Sequence, residues 1–228
     1  SAFGASGKIS KKKKALMSKP HQELNSAELL RWTMLKVNNY YQIYFNSIIN
    51  SGYEITGDIS PQYYALTPVH YKYIRKSLED YGFNVKVIYL IREPVERIWS
   101  NVRMEKNLYS SISKDISDSN AIKLNLKKNK WRFHSEYNVV ISNLSKAFKK
   151  ENTYIGVYED MFTEEKVQEL SDFVGTDYNP SMIKIRVNES NKKEELDNDV
   201  IREVRNYYKE VYKFCYLNFP QTKHLWNK

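Results

Sequence analysis

The sequence predicts an α/β fold with a central, mostly parallel sheet flanked by helices, and three observations predict it. Two short runs, Val85-Lys86-Val87-Ile88-Tyr89-Leu90-Ile91 and Thr153-Tyr154-Ile155-Gly156-Val157, are β-branched and apolar with almost no polar break. Such runs read as interior strands, the first covered on both faces. Segments with apolar residues at helical spacing lie around and between them, and strands that alternate with helices build parallel sheets. Hydrophobic residues make up 41% of the chain and charged residues 28%, a balance that supplies a packed core and excludes general disorder.

The 228 residues read as a single domain over 1–228. A formal net charge of +9 predicts an anionic partner: nucleic acid, a phosphate cofactor, an acidic glycan or a membrane surface. The lone Cys215 excludes an internal disulfide and a cysteine-based zinc cage. No stretch has the roughly 18 uninterrupted apolar residues of a membrane span, and no apolar signal core opens the chain. A soluble, cytoplasmic protein is therefore expected.

In chain order, residues 1–22 hold no acid and six lysines, four of them consecutive at 11–14. This segment is either a solvated basic arm or the seat of a phosphate-cradling turn, Gly4-Ala5-Ser6-Gly7-Lys8-Ile9-Ser10. Residues 25–51 read as one helix, opened by the capping pair Asn25 and Glu28 and stopped at Gly52. Its expected buried stripe is Leu29, Leu30, Met34, Val37, Tyr41 and Tyr44. A short strand is expected at 53–57, then a turn at Asp58-Ile59-Ser60-Pro61, then a helix from Thr67-Pro68 to Gly82.

The first interior strand follows and delivers Arg92 at its carboxyl end, where open α/β sheets bind ligands. Glu93 and Pro94 suit the start of a helix running to about residue 107, with Val95, Ile98 and Val102 inward. Ser100 lies about two turns along it, so Arg92 and Ser100 form a candidate phosphate clamp. Residues 109–130 are polar and charged and read as a poorly packed surface segment that covers a site. A helix over 135–149 carries Tyr137, Val140, Leu144 and Phe148. After the second strand and Tyr158-Glu159-Asp160, Thr163 caps a helix that stops at Gly175. One last helix is expected over 197–214, with Val200, Ile201, Val204, Tyr208 and Val211 inward.

Four of these pieces, in order, resemble motifs of the sulfotransferase family, nearest to its glycan and bacterial branch. Gly57-Asp58-Ile59-Ser60-Pro61-Gln62-Tyr63-Tyr64 is similar to the family's Gly-Glu-x-(Thr/Ser)-Pro-x-Tyr turn, with Ile59 where that branch has lysine. Arg92-Glu93-Pro94 through Arg97 to Ser100 resembles the Arg-(Asp/Glu)-Pro-x-x-Arg-x-x-Ser element. Val157-Tyr158-Glu159-Asp160-Met161 resembles a later strand ending in Tyr-Glu-Asp, and Val187 to Lys193 an Asn-x-Ser segment. The resemblance implies a P-loop nucleoside-kinase-like architecture and transfer of a sulfuryl group from 3′-phosphoadenosine 5′-phosphosulfate (PAPS) to a hydroxyl or amine. The acceptor is left open between a glycan and a small molecule.

It further implies that Arg92 and Ser100 grip the 3′-phosphate, that Lys192 and Lys193 close over the nucleotide, and that Gly7, Lys8 and Ser10 stand where the 5′-phosphosulfate loop should be. The family opens with a strand and a Lys-x-Gly-Thr-Thr loop. Here that strand is missing and the loop is degenerate or truncated, so slow donor turnover with retained binding of adenosine 3′,5′-bisphosphate is expected. Lys19-Pro20-His21-Gln22-Glu23 resembles a Lys-Glu-Pro-His segment in disturbed order, which makes His21 and Glu23 the candidates for the base that takes the acceptor's proton. His70 and His134 read as structural, and Glu159 and Asp160 as fixing the sheet edge. Sulfuryl transfer, like phosphoryl transfer, rests on in-line positioning and on cationic and backbone donors, and needs no metal. Two other readings stay open: a sulfotransferase-like domain that binds a nucleotide or acidic glycan without turnover, and a basic nucleic-acid-binding protein whose tyrosines stack bases. Against the second, the tyrosines fall on amphipathic stripes and no nucleic-acid module is legible.

Overall fold

The computed structural model describes residues 16–109, 112–128, 131–184 and 194–227. The protein is mostly helical with a small parallel sheet and divides into two compact units, Ser1–Val85 and Lys86–Lys228. Among the described residues no helix is long and apolar enough to cross a membrane.

The first unit contains α1 (Ser26–Lys36), α2 (Tyr40–Asn50) and α3 (Pro68–Glu79). The expected capping box is present: Asn25 Oδ1 accepts the Glu28 N–H at 2.9 Å and Glu28 Oε2 accepts the Asn25 N–H at 3.3 Å. The single helix expected over 25–51 is two helices, because Val37 turns extended and Asn39 takes φ 61. Asparagine tolerates that left-handed conformation better than most residues, so Val37-Asn38-Asn39 breaks the run. The expected stripe is also not a buried one. Leu29 and Val37 are exposed, the other four residues only half-buried, and the buried residue of α2 is Gln42. No strand forms at 53–57; Tyr53 and Ile55 are exposed, and an apolar run without a pairing partner has no ladder to join.

The second unit opens with β1 (Val87–Ile91) and α4 (Pro94–Met104), which widens into a π-helical turn at Glu105–Tyr109. Then come α5 (Asp118–Lys127), α6 (Tyr137–Ser145), β2 (Thr153–Val157) and α7 (Glu164–Val174). It closes with α8 (Asn198–Tyr207), α9 (Lys209–Asn218) and the short α10 (Thr222–Leu225). As expected, the two strands are neighbours: they pair in parallel, Val87 opposite Thr153 through Ile91 opposite Val157. Alternation places Ile91 and Val157 in a core with Ile98 and Val102 of α4, Ile122 of α5 and Val200 and Val204 of α8.

Coverage of β1 on both faces is not what the chain does. Ile88 and Leu90, on the opposite face, are 45% and 41% exposed. On that face α7 reaches β2, where the Tyr154 and Phe173 rings lie 5.5 Å apart, and Lys86 donates to the Phe173 carbonyl at 2.5 Å. Leu90 leans across Gly156, its register partner: a Cβ built there would stand 2.7 Å from Leu90 Cδ2 and 2.9 Å from Met161 Sδ. Gly156→Ala is expected to destabilise by about 1 kcal/mol, the low end of overpacking, because half-exposed Leu90 has solvent to move into. Urea midpoints check this, and a stabilised variant would contradict it.

Two further expectations change. The described part of the expected 109–130 cover, residues 112–128, is not poorly packed: Ser117 caps α5, whose Ala121, Ile122 and Leu126 are buried in the core. The helix expected over 197–214 splits at Tyr208, whose buried hydroxyl donates to the Trp131 carbonyl at 3.0 Å. Anchoring that hydroxyl outweighs the local preference for an unbroken helix. The helix expected over 135–149 is shorter, α6 covering Tyr137–Ser145 with Phe148 buried beyond its end, while the one expected over 163–175 stands in place, with Thr163 as N-cap and Gly175 left-handed at φ 94.

Candidate active site

The parallel register brings the carboxyl ends of β1 and β2 side by side, and the Tyr158 N–H donates to the Ile91 carbonyl at 2.8 Å. Arg92 is the next residue out of β1. Its main chain is clamped by Tyr137, whose hydroxyl donates to the Arg92 carbonyl at 2.7 Å and accepts the Arg92 N–H at 3.4 Å. Tyr137 is buried, and burial pushes its hydroxyl pKa up to about 12, so it stays a neutral clamp. Glu93 carries the turn into α4: its N–H donates to Glu159 Oε1 at 2.8 Å and its Oε2 accepts the Glu96 N–H at 2.7 Å, capping the helix. Glu159 thus fixes the sheet edge, as its sequence position suggests.

The Arg92 side chain is held at the same place. Its guanidinium lies 4.7 Å over the Tyr158 ring, and Nη2 meets Glu96 Oε2 at 3.3 Å. Its Nε is buried without a hydrogen-bond partner among the described residues. Arg92 precedes the helix and reaches Glu96 from the strand end, and Ser100 follows Glu96 one turn along the same side of α4. On an adjacent face, Arg97 Nε donates to the His134 carbonyl at 2.9 Å and Asn101 Nδ2 lies 3.1 Å from His134 Nδ1. His134 is therefore a packing partner of α4, and His70, 2.8 Å from Thr67 Oγ1, belongs to the cap of α3. Among the described residues no three or more His, Cys, Asp or Glu side chains gather as metal ligands.

Beneath the turn, the buried Glu93 carboxyl accepts the Tyr212 hydroxyl through Oε1. Burial raises the Glu93 pKa above the usual carboxylate range, opposed by the bonds from Tyr212 and the Glu96 N–H. Trp226 Nε1 donates to Glu159 Oε2 at 3.0 Å, and its carbonyl accepts Arg205 Nη2 at 3.2 Å. The C-terminal helices are thereby tied to the turns that leave both strands.

In the first unit, Asp58 of the Gly-Asp-Ile-Ser-Pro turn accepts the Tyr63 hydroxyl and, at 3.0 Å, the Tyr41 hydroxyl. Ile59 is 98% exposed. His21 and Glu23 form a 3₁₀ turn, and the Glu23 side chain is exposed. The second unit holds Arg92 at the end of β1 and Ser100 in α4, while Gly7, Lys8, Ser10, Lys192 and Lys193 lie outside the described residues. Tyr137, Tyr158 and Glu159 complete the strand-end site. Of these only the strand-terminal Tyr158-Glu159 pair carries a sequence signal.

The sequence model of the sulfotransferase domain family matches residues 6–198, well over half the chain, a span that includes both strands and the Arg92 turn. No curated protein and no solved structure matches the chain. The family match, together with the parallel strand ends and the arginine-led helix that follows the first of them, places this chain in the sulfotransferase family.

Proposed function

We propose that the protein transfers a sulfuryl group from PAPS to an acceptor hydroxyl or amine through one sulfotransferase domain, with Arg92 and Ser100 gripping the donor's 3′-phosphate. The observation that carries this reading is the Arg92 side chain. It is fixed at the carboxyl end of β1 by the Tyr158 ring and Glu96, with a buried Nε–H that has no hydrogen-bond partner among the described residues, and Ser100 follows Glu96 one turn along α4. An anion within reach would satisfy that donor and exchange the modest Arg92–Glu96 contact for a charge-assisted one.

In this reading Gly7, Lys8 and Ser10 hold the 5′-phosphosulfate, Lys192 and Lys193 close over the nucleotide, and His21 or Glu23 takes the acceptor's proton. PAPS supplies the sulfuryl group. The chain's own contribution is to orient the donor, set cationic and backbone donors where negative charge builds up, and accept one proton.

Titration calorimetry with adenosine 3′,5′-bisphosphate and adenosine 5′-monophosphate tests the clamp. Arg92→Ala should weaken the bisphosphate roughly 10- to 100-fold, and Ser100→Ala only a few-fold to about tenfold, following the difference between charge-assisted and neutral bonds. Neither should much change the monophosphate, which has no 3′-phosphate. Equal losses for both nucleotides would mean that these residues do not read the 3′-phosphate.

A further inference from the structure

At the carboxyl end of β1, Arg92 already meets an anion supplied by its own chain. Its Nη2 lies 3.3 Å from Oε2 of Glu96, in the first turn of α4, while Nε is buried with no hydrogen-bond partner among the described residues. The Nε–H and one N–H of Nη2 point the same way from the guanidinium plane. Together they form a fork that grips a phosphate or carboxylate through two parallel bonds. Glu96 touches one arm of that fork and leaves the other unused. A carboxylate built to orient Arg92 permanently would take both arms at shorter range, so a single 3.3 Å contact is a loose hold. Because Nε is buried, an anion from outside reaches both arms only when a neighbouring group withdraws. Tyr158 is pinned through its main-chain bond to Ile91, whereas the Glu96 side chain is 31% exposed and has solvent to turn into.

The charges around Glu96 suit a temporary occupant. Arg103 is buried further along α4, its guanidinium 4.8 Å over the Trp99 ring. Burial holds the Arg103 pKa below its ordinary value, the Glu96 carboxylate opposes that shift, and the Arg92 charge adds to it. Two arginines within electrostatic reach of each other repel, and a carboxylate that both feel relieves the repulsion before a ligand arrives. The Glu93 carboxyl, which accepts the Glu96 N–H at 2.7 Å, is a second negative group on the same turn and repels Glu96. Attraction to the arginines and repulsion from Glu93 thus act on one side chain. A doubly charged phosphate at the fork would add to the repulsion and tip that balance outward.

We propose that Glu96 is a built-in stand-in for the nucleotide's 3′-phosphate: it neutralises Arg92 before the nucleotide binds, gives up the fork when the phosphate docks, and so holds the affinity of the site below what Arg92 alone would reach. The inference rests on the donor reading above, in which Arg92 grips that phosphate. Glu96 acts only through Arg92.

The test is titration calorimetry on wild type, Glu96→Gln, Arg92→Ala and the double variant, with adenosine 3′,5′-bisphosphate and adenosine 5′-monophosphate. Glutamine keeps the length of the side chain and removes its charge. Glu96→Gln should bind the bisphosphate about two- to fivefold more tightly than wild type, the scale of one part-exposed ion pair, and the monophosphate no differently. In the Arg92→Ala background the same substitution should gain little, because no fork is left to release. Glu165→Gln removes an exposed charge from α7 and controls for net charge; it should match wild type. The inference is overturned if Glu96→Gln binds the bisphosphate no better than wild type, or more weakly, as a fixed orienting partner of Arg92 requires. It is equally overturned if the monophosphate or Glu165→Gln shows the same gain, or if the gain persists in full without Arg92. A bisphosphate that does not bind, or whose affinity Arg92→Ala does not lower, overturns the donor reading itself and this inference with it.

Discussion

Asp118→Ala is expected to lower the unfolding free energy by about 3–5 kcal/mol, the usual cost of breaking one side of a buried ion pair. Asp118 begins α5 and is buried. Its Oδ1 accepts Lys106 Nζ at 2.6 Å, its Oδ2 accepts Trp99 Nε1 at 2.7 Å, and its own N–H donates to Glu194 at 2.7 Å. Removing the carboxylate strands a buried ammonium, which among the described residues keeps the Ile116 carbonyl at 2.5 Å and a distant Glu194, and it leaves the indole N–H without this acceptor. Replacing both partners, Lys106→Met with Asp118→Leu, should recover much of the loss, because the penalty lies in the unpaired charge rather than in the pair's net worth.

The same group sets an acid limb. Burial pushes the Asp118 pKa up, but the bonds from Lys106 and Trp99 outweigh it and the net shift is downward. A folded value below the unfolded one means that this contribution is complete above the unfolded value of about 3.9 and is lost as pH falls through the folded value. The gap between wild type and Asp118→Asn should therefore narrow only in strong acid. Urea midpoints measured from pH 7 downward decide it. An Asp118→Ala variant within 1 kcal/mol of wild type, or a gap that closes near neutrality, would contradict this account.

The strand pair and the inner face of α4 were legible because each is a local pattern. An apolar run marks β1, a second marks β2, and Val95, Ile98 and Val102 recur at helical spacing. Arg92 and Ser100 were legible for the same reason, since a strand end and a proline-led helix fix their places within nine residues. What was not legible depends on distant chain. Tyr137 clamps Arg92 from 45 residues away, and Glu159 accepts the Glu93 N–H from 66. No periodicity records either contact. The breaks at Asn39 and Tyr208 are likewise decided by one backbone conformation and one buried hydroxyl, inside sequence that otherwise continues as helix. Residues 109–130 misled because their serines and lysines outnumber Ala121, Ile122 and Leu126, the three side chains that fix α5 in the core. The exposed face of β1 misled in the opposite direction, since Ile88 and Leu90 look like core but are half open.

Trp226→Ala carries the second large effect, about 3–5 kcal/mol of destabilisation for truncating a fully buried indole. Trp226 is 1% exposed, packs edge-on to Tyr212 at 5.9 Å, donates to Glu159 and accepts from Arg205. The loss should not stop at stability. The carboxylate that receives the indole N–H also receives the Glu93 N–H at the Arg92 turn, so the C-terminal segment braces the strand-end site from beyond the family-matched span. Trp226→Phe keeps most of the ring and loses the bond to Glu159, for which about 1–3 kcal/mol is expected. A double-mutant cycle of Trp226→Phe with Glu159→Gln should then show coupling of at least about 0.5 kcal/mol in unfolding free energy. If the brace positions Arg92, both Trp226 variants should also weaken adenosine 3′,5′-bisphosphate more than adenosine 5′-monophosphate under conditions where they remain folded. Additive unfolding energies would mean that Trp226 and Glu159 act independently. Parallel losses for the two nucleotides would confine Trp226 to packing, with no hold on the turn that carries Arg92.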